Sequence, residues 1–394
     1  MNLIREINTS LILDALKGAN AISKLDVAKA AGLSIPTVTK ILSGMLRVGV
    51  VQEAGIGDSD GGRRPMLYKL NRDGAFVIGS DIGDDHVNSI VVDFLGDRVA
   101  QATTPILLDD NEFAVFAKTI ATISEAIEKS GKDRSRFLGM GIGLAGEIDT
   151  EEGIVKRATY LNWENVPIKS IIESSFHIPT FIDENVRLLT FAESWIGNGK
   201  TSRDVICLRV GDDVSAGFMI DGMLFTGKHG MAGPNINHMV IDPNGETCEC
   251  GSRGCVKTIL SSAAIVRYCR EQSGFAGSSL SELNKLTVKA IAEAAQGGDA
   301  LALDIMDYVG RNLAIVVKNL AVCFDPDSII VGGGIALAGD VLFDPANRYL
   351  QECLGNIHSQ VRVYPSILGR DAFAFGAAML VLNRIFSYPG HFAI

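Results

Sequence analysis

The residues best suited to chemistry in this sequence are three cysteines and a histidine that lie close together. Cys248, Cys250 and Cys255 fall within eight residues, and His238 lies ten residues before the first of them. Thiolate and imidazole ligands favour zinc over magnesium or calcium, and four of them fill a tetrahedral site. The spacing therefore predicts a structural zinc site with no position left for a reactive water molecule.

A predicted turn that contains a glycine carries two adjacent carboxylates. Residues 79–93, GSDIGDDHVNSIVVD, read as two strands joined by a turn with Asp84 and Asp85 at its tip. A turn of this kind usually leaves backbone N–H groups free to hold a phosphate, which a carboxylate opposes. The turn is therefore either a poor phosphate site or an ordinary hairpin turn stabilised by acidic side chains.

The elements that must position these residues form a two-lobed α/β body. Strand patterns over residues 76–100 precede a helix from about Glu112 to Ser130 and a strand that ends in GIGLAGEID. A second set follows, with a hairpin over 205–224, helices over 286–323 and the strand SIIVGGG. Each half opens with a β-hairpin and ends in a glycine-rich strand, which predicts two related lobes with a cleft between them. We place the domains at 1–72, 73–197 and 198–394, with the last helix packing back on the first lobe.

Residues 1–72 read as a winged helix-turn-helix. The first helix carries one apolar face, the second ends at Gly32, and Ser34 caps the third, before a strand, a loop and a returning strand. The inward residues are predicted to be Ile4, Ile7, Leu11, Ile12 and Leu16 in the first helix, Leu25, Val27, Ala28 and Ala31 in the second, and Val38, Ile41, Leu42 and Leu46 in the third.

The charge of this head indicates a nucleic-acid partner. Residues 1–72 hold ten Lys and Arg against six Asp and Glu, or +4, which leaves −14 for the rest of a chain with net charge −10. The second helix of such a motif enters the major groove, and paired arginines in the wing suit phosphate or the minor groove. The predicted contacts to double-stranded DNA are Ser34, Thr37, Thr39, Lys40, Ser43, Arg63 and Arg64.

Cysteine usage and the absence of a signal peptide predict a cytoplasmic protein. The seven cysteines are an odd number, which argues against a disulfide framework. No apolar run reaches the length of a transmembrane helix. The four cysteines outside the metal cluster lie in apolar stretches and are predicted to be core residues: Cys207, Cys269, Cys323 and Cys353.

The chain resembles the ROK family of sugar kinases and sugar-responsive repressors over nearly its whole length, with the head as in the repressor branch. The most specific segment is HMVIDPNGETCECGSRGCVKTILS, residues 238–261, and GIGLAGEID, LNWENVPI and FGAAM also look like family segments. The resemblance implies an actin-like, ribonuclease H-like ATPase-type body behind the winged helix-turn-helix. It also implies that His238 faces a sugar.

Both nucleotide turns depart from the kinases of this family. The resemblance implies a glycine and a threonine where Asp84 and Asp85 stand, and glycines where Asp213 and Ser215 stand in VGDDVSAGF. A carboxylate about 4 Å from a phosphate charge opposes binding by roughly 1–4 kcal/mol, and side chains block close approach of the backbone. We therefore expect no ATP to bind.

The position of the catalytic base is changed as well. The family pattern, laid without gaps on IDENVRLLTFAES and anchored at Glu193, puts Glu184 in place of an asparagine and Asn185 in place of the catalytic aspartate. An amide cannot accept a proton from a sugar hydroxyl. If a gap is allowed, Asp183 is the base instead, so both alignments stay open.

Two sugar contacts of the family are also replaced. The resemblance places glutamates where this chain has Asn235 and Lys257. Lys257 either pairs with an acidic group of a modified sugar or bridges to Glu184 and closes the pocket. The predicted ligand residues are Glu184, Asn185, Asn235, His238 and Lys257.

These features favour a transcriptional regulator, most simply a repressor of carbohydrate genes without enzymatic activity. A sugar or sugar derivative in the cleft would move the winged helices of a homodimer or homotetramer relative to one another. One alternative is an ATP-dependent sugar kinase that keeps a DNA-binding head. Another is a zinc-stabilised scaffold that binds protein and not DNA.

Overall fold

The structure is a computed structural model that describes residues 3–58, 64–107, 109–228, 230, 232–355, 357 and 361–392. The chain divides into two compact units, residues 1–185 with 373–394, and residues 186–372. Within the described residues, no helix combines the length and the apolar character that crossing a membrane requires. The predicted boundaries at residues 72 and 197 stay a prediction.

The head is built from a helix-turn-helix and a small sheet. The helices are α1 (Leu3–Lys17), α2 (Lys24–Ala31) and α3 (Ile35–Val48), and the strands are β1 (Ile22–Ser23), β2 (Val51–Ile56) and β3 (Met66–Leu70), in the order β1-β3-β2. The side chain of Ser34 caps α3 by accepting from the backbone N–H of Thr37, and Gly49 ends the helix in the left-handed region with φ 84°. β2 and β3 form the wing hairpin, which is antiparallel.

The buried face of the head differs in part from the predicted one. Ile4, Ile7, Leu11 and Leu25 are exposed. Apolar residues cover more than one side of α1, so their spacing alone does not select the face that packs. The buried residues of α1 are Thr9, Ile12, Leu13 and Leu16, and those of α3 are Val38, Leu42 and Met45.

The first unit of the body contains a five-stranded sheet. Its strands are β4 (Phe76–Ile82), β5 (His86–Asp93), β6 (Arg98–Pro105), β7 (Phe137–Leu144) and β11 (Thr180–Glu184), in the order β11-β7-β4-β5-β6. β8 (Glu147–Asp149), β9 (Ile154–Ala158) and β10 (Trp163–Val166) form a small second sheet, and the helices are α4 (Glu112–Ser130) and α5 (Ile168–Phe176). β4, β7 and β11 run parallel, so their carboxyl ends meet at one edge.

The second unit repeats this topology. Its strands are β12 (Val205–Val210), β13 (Val214–Ile220), β14 (Met223–Phe225), β15 (Ser328–Gly332) and β16 (Val363–Pro365), in the order β14-β13-β12-β15-β16. Its helices are α6 (Asn185–Ile196), α7 (Val256–Leu260), α8 (Ser262–Glu271), α9 (Val288–Gln296), α10 (Ala300–Phe324) and α11 (Asp340–Leu354). In both sheets an antiparallel meander of three strands is followed by two parallel strands, as an actin-like body requires.

The last helix, α12 (Ala372–Ser387), packs on the sheet of the first unit. Two glycines allow the close approach: a Cβ on Gly79 would lie 1.9 Å from the carbonyl oxygen of Ala374, and one on Gly141 would lie 2.0 Å from that of Ala377.

In the second unit, the cysteine prediction is half wrong. Cys207 and Cys269 are buried, whereas Cys323 and Cys353 are exposed because they lie on the outer sides of α10 and α11.

Candidate functional site

The four predicted metal ligands lie together. The nitrogen of His238 and the three sulfur atoms of Cys248, Cys250 and Cys255 all lie within 4.8 Å of one another. The Nδ1 atom of His238 is 3.5 Å from the Sγ atom of Cys248, and the Sγ atoms of Cys250 and Cys255 are 3.7 Å apart. The donor set and its spacing fit a tetrahedral zinc ion.

A tight backbone loop brings the ligands together. The N–H of Cys248 donates to the carbonyl of Ser252 at 2.7 Å, and the carbonyl of Gly254 accepts from the N–H of Ile241 at 2.9 Å. Gly254 has φ +65°, and a Cβ there would lie 1.5 Å from the carbonyl oxygen of Asp242. Only glycine fits at this position, which explains why the segment needs Gly254 between the last two cysteines.

The thiols of this cluster differ in acidity. The backbone N–H of Ser252 donates to Cys250 and lowers the pKa of its thiol to about 6, whereas burial raises the pKa of the Cys255 thiol to about 12. Adjacent thiols cannot all ionise at little cost without a cation between them. The cluster therefore has the chemistry of a site that exchanges protons for a metal ion.

The turn between β4 and β5 exposes the carboxylates of Asp84 and Asp85. The carboxylate of Asp85 contacts the ring nitrogen Nδ1 of His86, and the N–H of Gly83 donates to the carbonyl of His86 at 2.9 Å. The turn thus closes on its own backbone, and one of its two acidic groups is held by a neighbour. Both acids lie on the surface of a hairpin tip, as the sequence indicated.

The turn between β12 and β13 is held by two residues that lie next to the predicted metal ligands in the sequence. Asp213 accepts from the N–H of Val214 at 2.8 Å, and its two oxygens lie 2.9 and 3.1 Å from the Nδ2 atom of Asn237. The Nζ atom of Lys257 is 3.8 Å from Asp213 and 2.6 Å from Glu249. Asn237 directly precedes the predicted metal ligand His238, and Lys257 follows Cys255 by two residues.

Lys257 therefore has two acidic partners in its own unit. Its hydrogen bond to Glu249 raises the pKa of the ammonium group, and the same bond lowers the pKa of the Glu249 carboxyl. Neither Asn237 nor Glu249 was among the predicted site residues. The sequence offered one usable signal, because both residues lie beside predicted metal ligands and a loop that brings such ligands together also brings their neighbours together.

Two side-chain polar atoms near this turn are buried. The Oδ1 atom of Asn237 and the Oγ atom of Ser215 accept or donate no hydrogen bond within the part of the chain that the structure describes. Both residues are only 6% exposed. Buried polar groups are usually paired, so an unpaired one indicates a functional site or an unseen small partner.

The predicted base positions lie at the end of β11 and the start of α6. Asp183, Glu184 and Asn185 are all buried. The carboxylate of Asp183 accepts from the N–H of Glu184 at 2.7 Å, and the Oδ1 atom of Asn185 has no hydrogen-bond partner among the described residues. Asn235, in contrast, is exposed on the short 3-10 helix Pro234–His238.

Six of the seven predicted DNA contacts are among the described residues: five lie on or directly before α3, and one lies in the wing. Ser34, Lys40 and Ser43 are exposed, while Thr37 and Thr39 are half-buried. The hydroxyl groups of Ser34 and Thr37 are 2.9 Å apart, and Ser43 donates to the carbonyl of Thr39 at 2.8 Å. In the wing Arg64 is exposed, and Arg63 lies outside the described residues.

Comparison with known proteins gives a consistent set of similarities. The family model described as "ROK family" matches residues 77–384. The xylose repressor of Caldicellulosiruptor bescii is 28% identical over 393 residues, which cover 98% of this chain and 98% of that protein. A glucokinase of Thermotoga maritima is 31% identical over 316 residues, which cover 78% of this chain and 98% of the kinase.

The solved structures agree on the fold. A transcriptional regulator described as a homologue of the E. coli MLC protein superposes with a TM-score of 0.87 at 24% identity and covers 100% of both chains. The predicted fold class, a winged helix-turn-helix followed by a two-lobed α/β body, is confirmed. The similarity to the repressor extends through the head, whereas the similarity to the glucokinase covers only part of the chain.

Proposed function

The chain belongs to the ROK family, and from that premise we propose that it is a DNA-binding transcriptional repressor of carbohydrate genes that responds to a sugar or sugar derivative. The observation that carries the proposal is full-length similarity to a repressor, head included, at 98% of both chains. The basic head supports it, because a +4 charge over residues 1–72 favours a polyanionic partner. Such a protein acts in the cytoplasm as a homodimer or homotetramer on paired half-sites.

DNA binding is assigned to α3 and the wing. Ser34, Lys40 and Ser43 are exposed near or on the face that enters the major groove in this motif. The proposed DNA-binding surface also includes Thr37, Thr39 and Arg64. Its last proposed residue, Arg63, lies outside the described residues. Contacts of the two arginines with the DNA phosphates would fix the position of the protein on the duplex, and side chains of α3 would recognise the bases.

We assign a structural zinc ion to His238, Cys248, Cys250 and Cys255. The ion would fix the loop that carries Asn237 and Lys257, and with four protein ligands it would activate no water. The ligand residues remain those proposed from the sequence. They are Glu184, Asn185, Asn235, His238 and Lys257.

We further propose that kinase activity is lost. Asp84, Asp85 and Asp213 place carboxylates in the two turns, and Asn185 offers an amide in place of a base. A coupled assay of phosphoryl transfer over a panel of sugars and amino sugars is expected to show no turnover. Turnover that Asp183→Ala abolishes would instead support a kinase with a DNA-binding head.

The test of the main proposal is retention of genomic DNA by the purified chain. The expected result is enrichment of a few fragments beside carbohydrate genes, with affinity that falls steeply as salt rises. Absence of salt-dependent retention of any duplex would favour a protein-binding scaffold and contradict the proposal.

A further inference from the structure

The carboxylate of Asp213 sits among donors that would suit a small oxyanion. The N–H of Val214 donates at 2.8 Å, the Nδ2 atom of Asn237 lies 2.9 and 3.1 Å from the two oxygens, and the ammonium group of Lys257 lies 3.8 Å away. A backbone N–H, a side-chain amide and a cation are the groups that proteins combine to bind phosphate or carboxylate. Asp213 is thus held as a bound anion would be.

The donors come from three separate segments of the second unit. Val214 begins β13, Asn237 lies on the 3-10 helix Pro234–His238, and Lys257 lies in the first turn of α7. Asn237 is 6% exposed, and its Oδ1 atom has no partner among the described residues. The hydrogen bonds from its Nδ2 atom to Asp213 therefore set the orientation of the Asn237 side chain, because its Oδ1 atom makes none among the described residues.

From these contacts we infer that the β12–β13 turn, the Asn237 amide and the Lys257 ammonium form an oxyanion site that the chain fills with its own carboxylate, Asp213. The carboxylate excludes phosphate and acidic ligands from this corner, and it ties the turn to the segment that carries the metal ligands. Lys257 is shared with Glu249, so its charge is satisfied without any acidic group from a ligand. This inference does not depend on whether the chain binds DNA.

The inference predicts that the site opens when the side chain of residue 213 is removed. In Asp213→Gly, inorganic phosphate should bind at least about tenfold more tightly than in the wild type, because the side chain that occupies the three donors is gone and the ion can take its place. Titration calorimetry of the full chain with inorganic phosphate, at constant ionic strength and without magnesium, measures this change. Circular dichroism and zinc content are checked first, and Asp213→Ala replaces the glycine variant if that variant does not fold.

Three further variants decide between a vacated site and a general charge effect. Asp212→Gly removes an exposed carboxylate from the same turn and should leave phosphate affinity as in the wild type. Asp213→Asn removes the charge but keeps the position filled, so it should gain much less than Asp213→Gly. Adding Lys257→Met to Asp213→Gly should abolish the gain.

The inference is overturned if Asp213→Gly and Asp213→Ala bind phosphate no better than Asp212→Gly. Equal gains in Asp213→Asn and Asp213→Gly would also overturn it, because charge alone would then explain the change. A gain that survives Lys257→Met would show that the donors are wrongly assigned. None of these results depends on operator binding, so failure of the repressor proposal would be distinguishable.

Discussion

The side-chain amide of Asn237 lies 2.9 and 3.1 Å from the two carboxylate oxygens of Asp213. This pair joins the β12–β13 turn to the residue that precedes His238, a proposed metal ligand. The turn that would approach a nucleotide in a kinase of this family is therefore occupied by an internal polar contact. The contribution of the contact between Asn237 and Asp213 to stability can be measured.

Asn237→Ala should weaken the second unit. Hydrogen bonds to a charged group contribute about 1.5–3 kcal/mol when buried, but Asp213 is 45% exposed, so a loss of about 1 kcal/mol is expected. Amide hydrogen exchange over residues 205–220 measures the local change. Asn235→Ala is the matched control, because that side chain is exposed and should change stability by less than about 0.5 kcal/mol. Equal effects of the two substitutions would contradict the assigned contact.

Removal of one metal ligand should remove the metal. The dialysed wild-type chain is expected to carry about one zinc ion, and Cys250→Ser should lose most of it because tetrahedral structural sites need all four ligands. Elemental analysis measures the content, and Cys323→Ser is the control because Cys323 is exposed and distant in sequence. A chelator should lower the melting temperature of the wild type and not that of Cys250→Ser. Equal zinc in both cysteine variants would refute the site.

Arg64 and Lys40 should affect DNA binding in different ways. Arg64→Ala should weaken binding to all duplexes alike and reduce the slope of log affinity against log salt by about 1. Lys40→Ala should change sequence preference at one position by about 1–3 kcal/mol. Fluorescence anisotropy with specific and random duplexes separates the two effects. Lys289→Ala, a cation on α9 of the second unit, should change neither, and unaltered binding in all three variants would refute the assigned surface.

The stability of the junction between the head and the first sheet should depend on pH. The Nζ atom of Lys132 is 2.7 Å from the carboxylate of Asp73, and this hydrogen bond lowers the pKa of Asp73 below its usual value. A lowered carboxyl pKa gives stability that is present above the unfolded-state pKa of about 4 and is lost as the pH falls through the folded-state pKa. Asp73→Asn should therefore lower the melting temperature at neutral pH, and the difference from the wild type should shrink as the pH falls toward 3.

The control for this pH effect is Glu151→Gln, an exposed residue of the same unit. Its melting temperature should follow that of the wild type at every pH. A difference between Asp73→Asn and the wild type that stays constant with pH would show that the carboxyl charge does not stabilise the junction.

Local sequence patterns predicted the parts of the protein that depend on local physics. The three cysteines are close in the chain, so their spacing alone indicated a cluster of possible metal ligands. The cap at Ser34 and the span of α4 follow likewise from short-range hydrogen bonding and helical periodicity. The two related lobes could be predicted because each half repeats a hairpin and a glycine-rich strand.

Contacts between distant segments could not be predicted in this way. Asp213 and Asn237 are 24 residues apart, and no periodicity relates them. The partners of Lys257 were equally open, because an ammonium group accepts any nearby carboxylate and only the folded loop selects Glu249. The exposed positions of Ile4, Ile7, Cys323 and Cys353 show the same limit, since an apolar or cysteine-containing helix has several faces and tertiary packing selects one.

The most direct test of the proposed sugar-responsive repressor is the effect of sugars on DNA retention. The purified chain is bound to a retained genomic fragment, and its affinity is measured by anisotropy across a panel of pentoses, hexoses, amino sugars and sugar acids. At least one of them should change the affinity for the fragment by about 5- to 150-fold, the usual range of allosteric coupling. A chain that retains no duplex, or whose DNA affinity is the same with every sugar, would contradict the repressor proposal.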